Sequence, residues 1–431
     1  MDRVFKNYRA VFTAFLLLFL AGCEEEKPVP APEVIPAITL QKFYGDNQKG
    51  FPSLPLDEPV KVKVLDENGM PLANKEVNFE VTPGSGYVSS GTARTDQDGI
   101  AEVLWVLGNT APEQSLKAIL PDADSLMEVE FIAKLKAYTV AGGNGYGSAA
   151  KQLTLPYGIF VDPAGNVYVA DRDNNRVQKW APGATEGVTV AGGNGMGSGP
   201  NQLFNPYGIA VDAAGNIYIA DSGNDRVQKW APGATSGVTV AGGNGANGGA
   251  HQLIRPYGVF VDASGNLYVA DSGVNRVQKW APGAQSGVTV AGGNGYGSAA
   301  NQLLYPAAVF VDPAGNIFIA DAGNHRIQKW APGATSGITV AGGKGSGNNA
   351  DQLDYPFAIF VDAEGNLYIA DDENDRIQKW APGATSGVTV AGNRSGWAVD
   401  GLWGPSGIFV DAEGNMFISD SANGRVMKWL P

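Results

Sequence analysis

A unit of fifty residues, repeated through the last two thirds of the chain, constrains this sequence more than any other feature. Tyr157-Gly-Ile-Phe-Val-Asp162 returns as Tyr207-Gly-Ile-Ala-Val-Asp212 and Tyr257-Gly-Val-Phe-Val-Asp262, and later copies begin at Ala307, Phe357 and Ser406. Each copy continues with Gly-Asn, an apolar run ending in Asp, and an arginine that opens the last shared motif. The arginines are Arg176, Arg226, Arg276, Arg326, Arg376 and Arg425, which makes six copies. A period near fifty with several short strands per unit predicts a radial β-propeller.

One unit reads as four strands. Strand a covers Tyr157–Asp162, b Asn166–Ala170, c Arg176–Trp180 and d Val188–Ala191. The sixth unit has no outer strand of its own after Trp429, while Ala137–Ala141, which carries the strand-d motif, lies ahead of the first unit. Joining these two ends closes a six-bladed ring and removes two open sheet edges. Pro-Tyr-Gly-Ile-Phe-Val-Asp, Gly-Asn-Val-Tyr-Val-Ala-Asp and Asn-His325-Arg-Ile-Gln-Lys-Trp330 resemble NHL repeats over residues 136–431. That resemblance implies the propeller fold but no single activity, because members include binders of peptide and RNA, receptor ectodomains and a few enzymes.

The N-terminal third is organised differently. Arg3, Lys6 and Arg9 precede the apolar run Val11–Leu20, which is too short to span a bilayer. Leu20-Ala21-Gly22-Cys23 resembles a bacterial lipobox, which implies a signal peptide over 1–22 and lipidation of Cys23, the only cysteine. The acidic run Glu24-Glu25-Glu26 resembles the tether of surface-exposed lipoproteins in some Gram-negative groups. The resemblance implies a protein lipid-anchored in the bacterial cell envelope, at the outer membrane and facing outward. The proline-rich stretch within 23–36 reads as a stiff spacer. Residues 37–135 alternate apolar and polar positions between turn signals, as half-buried strands do. Val64-Leu-Asp-Glu-Asn-Gly-Met-Pro71 and Thr95-Asp-Gln-Asp-Gly-Ile-Ala101 resemble a bacterial Ig-like domain of the invasin type. The whole chain is therefore expected to be all-β, an Ig-like β-sandwich followed by a propeller.

A formal net charge of −13 lacks the basic footprint that nucleic-acid binding needs. Enzyme signatures are weak. His251 and His325 have no metal-ligand spacing, and neither a nucleophile elbow nor a thiol nucleophile is present. No catalytic residue is assigned and no cofactor is expected. The spacing Asp-x-x-Gly-Asn after strand a hints at calcium but lacks further ligands. The aspartates Asp171, Asp221, Asp271, Asp321, Asp371 and Asp420, each five residues before an arginine, read as scaffold.

Differences between the copies carry more information. The c-to-d loops are nearly identical, whereas the d-to-a and b-to-c loops vary, and these share one propeller face. Loops on a rigid scaffold are where specificity resides. That face carries Tyr157, Tyr207, Tyr257 and Phe357 at the start of strand a. Tyr146, Tyr296, Tyr305, Tyr355, Trp397 and Trp403 lie in its d-to-a loops. Rings beside amides and charges suit a glycan or an extended peptide. The loop rings are expected to be exposed, and the strand-start rings could instead pack between blades. Two alternatives stand beside ligand binding: a metal-assisted lyase or lactonase, and a scaffold docking an envelope protein.

Overall fold

The computed structural model describes residues 38–109, 111–121, 127–392 and 394–431. The signal peptide, Cys23 and the spacer lie outside the described residues.

Two sheets face each other in the first part of the chain. One joins Thr39–Tyr44, Val60–Leu65 and Ile100–Val103, and the other joins Gln48–Gly50, Met127–Leu135, Glu113–Leu120, Glu76–Val81 and Thr92–Arg94. Alternation builds their common core, because successive strand residues point to opposite faces. Val60, Val62 and Val64 from one sheet meet Leu116, Ala118, Leu120, Phe131 and Ala133 from the other around the fully buried Trp105.

Six four-stranded antiparallel sheets follow. In the first of these, strand a is Pro156–Val161, b is Val167–Asp171, c is Arg176–Trp180 and d is Val188–Gly192. Strand b is buried at every position in all six sheets. It lies inside its own sheet and between two neighbouring sheets, so both of its faces are covered. The strand-c tryptophans complete that packing. Trp230, from the second blade, belongs to the same core as Tyr168, Val177 and Ala191 of the first.

The ring closes through the two ends of the repeat region. Ala137–Gly142 pairs antiparallel with Arg425–Trp429 and becomes the outer strand of the sixth blade. The same strand follows Met127–Leu135 after one residue, so the two parts of the chain meet at the closure. There Leu430 donates its backbone N–H to the Lys136 carbonyl, Lys136 donates to Gly50, and Phe51 packs edge-on against Trp429 at 5.6 Å.

The aspartate–arginine pairs form in every blade at 2.6–2.8 Å. Arg176 also donates to the carbonyls of Ser148, Ala149 and Gln152, and Asp171 accepts the backbone N–H of Thr154. One ion pair thus holds the d-to-a loop onto the strand b–strand c hairpin. The boundaries of strands a, b and d move by one residue from those read in the sequence while strand c keeps its own, and this pairing draws Asp171 into strand b.

Candidate functional site

The site begins with what lines the ring axis. Strand a places a glycine or alanine there in each blade: Gly158, Gly208, Gly258, Ala308, Ala358 and Gly407. The inner strands approach so closely that a Cβ on Gly158 would stand 2.6 Å from the Tyr207 carbonyl oxygen. They leave a central cavity of about 90 Å³. Phe160, Phe260, Phe310, Phe360 and Phe409 form a collar with neighbouring ring centroids 5.1–5.5 Å apart, and Ala210 holds the sixth place.

At the other end of strand a, aromatic rings meet over the axis. Tyr207 stacks on Tyr257 at 4.3 Å, and Tyr157 stands edge-on to Tyr207 at 4.7 Å and to Phe357 at 5.1 Å. Six rings could not share this space, and Ala307 and Ser406 supply the small residues that make room. These four rings therefore pack against one another, not between blades. All four remain partly accessible and form a floor at the channel mouth.

The rim comes from the b-to-c loops, each of which makes a single 3-10 turn that sequence periodicity does not reveal. The first residue of this turn is Arg172, Ser222, Ser272, Ala322, Asp372 or Ser421. Ser222, Ser272 and Ser421 donate their hydroxyls to the Pro256, Pro306 and Pro156 carbonyls. The two charged residues do otherwise. The Arg172 guanidinium lies 5.3 Å from the Tyr157 ring centroid and 5.0 Å from that of Tyr207. Its Nε is buried without a hydrogen-bond partner and stands 3.6 Å from Asp173. Burial pushes the Asp372 carboxyl up to about 7, and the charges of Glu373, Asp375 and Asp371 add to that rise.

The remaining expected site residues fall into separate places. Tyr355 is half-buried rather than exposed, although its backbone has the same left-handed φ as that of Tyr305. Its N–H is held by His325 Nδ1 of the preceding blade, and burial raises its hydroxyl pKa, with Tyr257 and Asp372 adding to the effect. Tyr305 occupies the same register and is exposed. Trp397 and Trp403 form an exposed edge-on pair at 5.6 Å, apart from the floor. Tyr146 donates its hydroxyl to the Ala422 carbonyl at the ring closure. Tyr296, at the equivalent place, is 76% exposed.

Two features escaped sequence reading. The residue after the 3-10 turn reaches the next blade in the first five blades: Asn175, Asp225, Asn275 and Asp375 accept the backbone N–H of Asn205, Arg255, Tyr305 and Gly404, and His325 that of Tyr355. His325 thus acts as a blade-to-blade acceptor. Nor do the loops divide cleanly between two faces. Gly187, at the end of a c-to-d turn, donates to Ala150 of a d-to-a loop, and a Cβ there would overlap the Trp180 indole. Sameness of the c-to-d turns therefore has a packing cause.

The Asp162 carboxylate is occupied by its own turn, accepting from Ala164 and Asn166. Among the described residues no group of three or more His, Cys, Asp or Glu side chains could hold a metal ion.

Four segments of the chain, residues 153–180, 205–230, 253–280 and 303–330, match the NHL repeat, and sheets of four strands repeated in this way fit a β-propeller. No curated protein matches the chain in sequence. Among solved structures, a protein of unknown function from Bacteroides thetaiotaomicron is 17% identical, with 91% of this chain and 98% of that chain covered and a TM-score of 0.54. Virginiamycin B lyase from Staphylococcus aureus is 12% identical over 82% of this chain and 99% of its own, with a TM-score of 0.43. The PQQ-bound aldose sugar dehydrogenase of Streptomyces coelicolor is 15% identical over 67% and 95%, also at 0.43. The likeness to the first of these is one of fold.

Proposed function

We propose that this chain is a lipid-anchored protein of the bacterial cell envelope whose propeller recognises a glycan at the channel mouth. The Ig-like domain serves as a stalk, and Cys23 carries the anchor. One observation supports the recognition role above the others: a partly accessible floor of Tyr157, Tyr207, Tyr257 and Phe357 with a charged group on its rim that has no hydrogen-bond partner. Aromatic faces take up the apolar side of a sugar ring, and polar groups at the edge fix its hydroxyls.

A glycan is favoured over an extended peptide because the mouth offers ring faces and side-chain polar groups and no free strand edge. A channel enzyme is disfavoured, because it needs acidic or amide side chains converging on the axis. Rings, glycines and alanines stand there instead.

The test is binding of soluble residues 24–431 to an array that carries both glycans and peptides. Signal on a set of related glycans is expected. Signal on peptides alone would contradict the reading, and a stoichiometric protein partner with silence on the array would favour a docking scaffold.

A further inference from the structure

Position 172 and its five counterparts occupy one register around the mouth. Three are serines whose hydroxyls are spent on the next blade, and one is alanine. Only Arg172 and Asp372 are charged, and they stand in the first and fifth blades, on either side of the sixth. Among the described residues neither side chain makes a hydrogen bond, although the aspartate–arginine pair below them is formed in every blade.

Both groups act on the same ring, since the Tyr157 hydroxyl feels the Arg172 and Asp372 charges together. Arg172 lies close to both Tyr157 and Tyr207, whose rings stand edge-on to each other, and leaves Tyr257 and Phe357 as the half of the floor it does not contact. A guanidinium presents a planar fork that matches a carboxylate.

We propose, on the reading that the mouth binds a glycan, that its ligand is an acidic sugar, a uronic-acid unit whose carboxylate pairs with Arg172 and whose ring lies on Tyr257 and Phe357. The sugar hydroxyls meet Asp372, which faces Glu373, Asp375 and Asp371 on its own loop. Tyr157 and Tyr355 face it from the neighbouring elements, and Gly404 from the sixth blade. Because the Asp372 carboxyl keeps its proton well above the usual carboxylate range, it does not repel a neighbouring anion as an ordinary aspartate would. A neutral sugar leaves the Arg172 fork without a hydrogen-bonded carboxylate, since Asp173 stands 3.6 Å away, so charge sets the preference.

The experiment is calorimetric titration of the soluble chain with trigalacturonate and with its neutral trisaccharide counterpart, for the wild type, Arg172→Ser and Arg172→Lys. Serine is the residue this chain itself places at 222, 272 and 421, so the fold accepts it, and an unchanged unfolding midpoint checks that. The wild type is expected to prefer the acid by about tenfold or more. That preference should vanish in Arg172→Ser and weaken in Arg172→Lys, which keeps the charge without the fork. Equal affinity for both sugars, or an acid preference that survives Arg172→Ser, overturns the acidic-sugar inference and leaves the glycan reading intact. Binding to neither sugar, with no glycan bound on the array, overturns both.

Discussion

Asp271 lacks a donor that its five counterparts possess. Asn174, Asn224, Asn324, Asn374 and Asn423 each donate a side-chain amide to the aspartate of their own blade, and the third blade has Val274 in that place. Burial pushes the Asp271 carboxyl up to about 6, and the Asp225 charge adds to it. The folded value lies above the ordinary one, so this group's contribution to stability is fully present below about pH 4 and is lost as pH rises through 6. Val274→Asn restores the amide. It is expected to raise stability by about 1–2 kcal/mol at pH 7 and by less at pH 4, read from urea unfolding at both values. An equal effect at the two would contradict this account. Asp372 obeys the same sign at a higher point, since its carboxyl is pushed up to about 7. Replacing it with asparagine removes a charge that burial opposes. Asp372→Asn should stabilise the fold by about 2 kcal/mol more at pH 8 than at pH 5, and the unfolding midpoint across that range checks it.

Strand order was largely legible in the repeat, and the misreadings have physical causes. Strand c has the boundaries its motif indicates, Arg176–Trp180, because the repeated Arg-(Val/Ile)-(Gln/Met)-Lys-Trp run spans it whole. Strand b was read one residue early because an aspartate looks like a loop residue until an arginine opposite neutralises it. The 3-10 turns were invisible because no side chain caps them. The rings of the floor were named from sequence, but the rim was not. Arg172 and Asp372 stand out only when one register is compared around all six blades. The outer strand Ala137–Gly142 was expected from the count of strand-d motifs, and its role carries a prediction. Removing residues 136–143 exposes the edge of Arg425–Trp429 and uncovers Trp429. The propeller's urea transition should fall by about 4 kcal/mol or more, since each lost backbone hydrogen bond counts about 1 kcal/mol and buried apolar contacts go with them. Light scattering should also report association through the opened edge. A transition unchanged in midpoint would mean the ring closes without this strand.

At the scale of the whole molecule, the closure strand is also the joint between the two folded parts. The segment that leaves the first core at Leu135 enters the sixth blade at Ala137, and Lys136 between them bonds both to Gly50 and to Leu430. The mouth is formed by strand starts and b-to-c turns, and the plugged axis beneath it holds the floor rigid by ring-to-ring contact. On the proposed reading, a floor held in this way receives the glycan without reorganising, which lowers the cost of binding. The most direct test compares two double variants on a glycan array, Tyr257→Ala with Phe357→Ala against Trp397→Ala with Trp403→Ala, after both are shown to be folded. The account predicts that the first pair abolishes the glycan signal while the second leaves most of it. Loss confined to the tryptophan pair would contradict it and move the binding surface off the channel mouth to the outer loop.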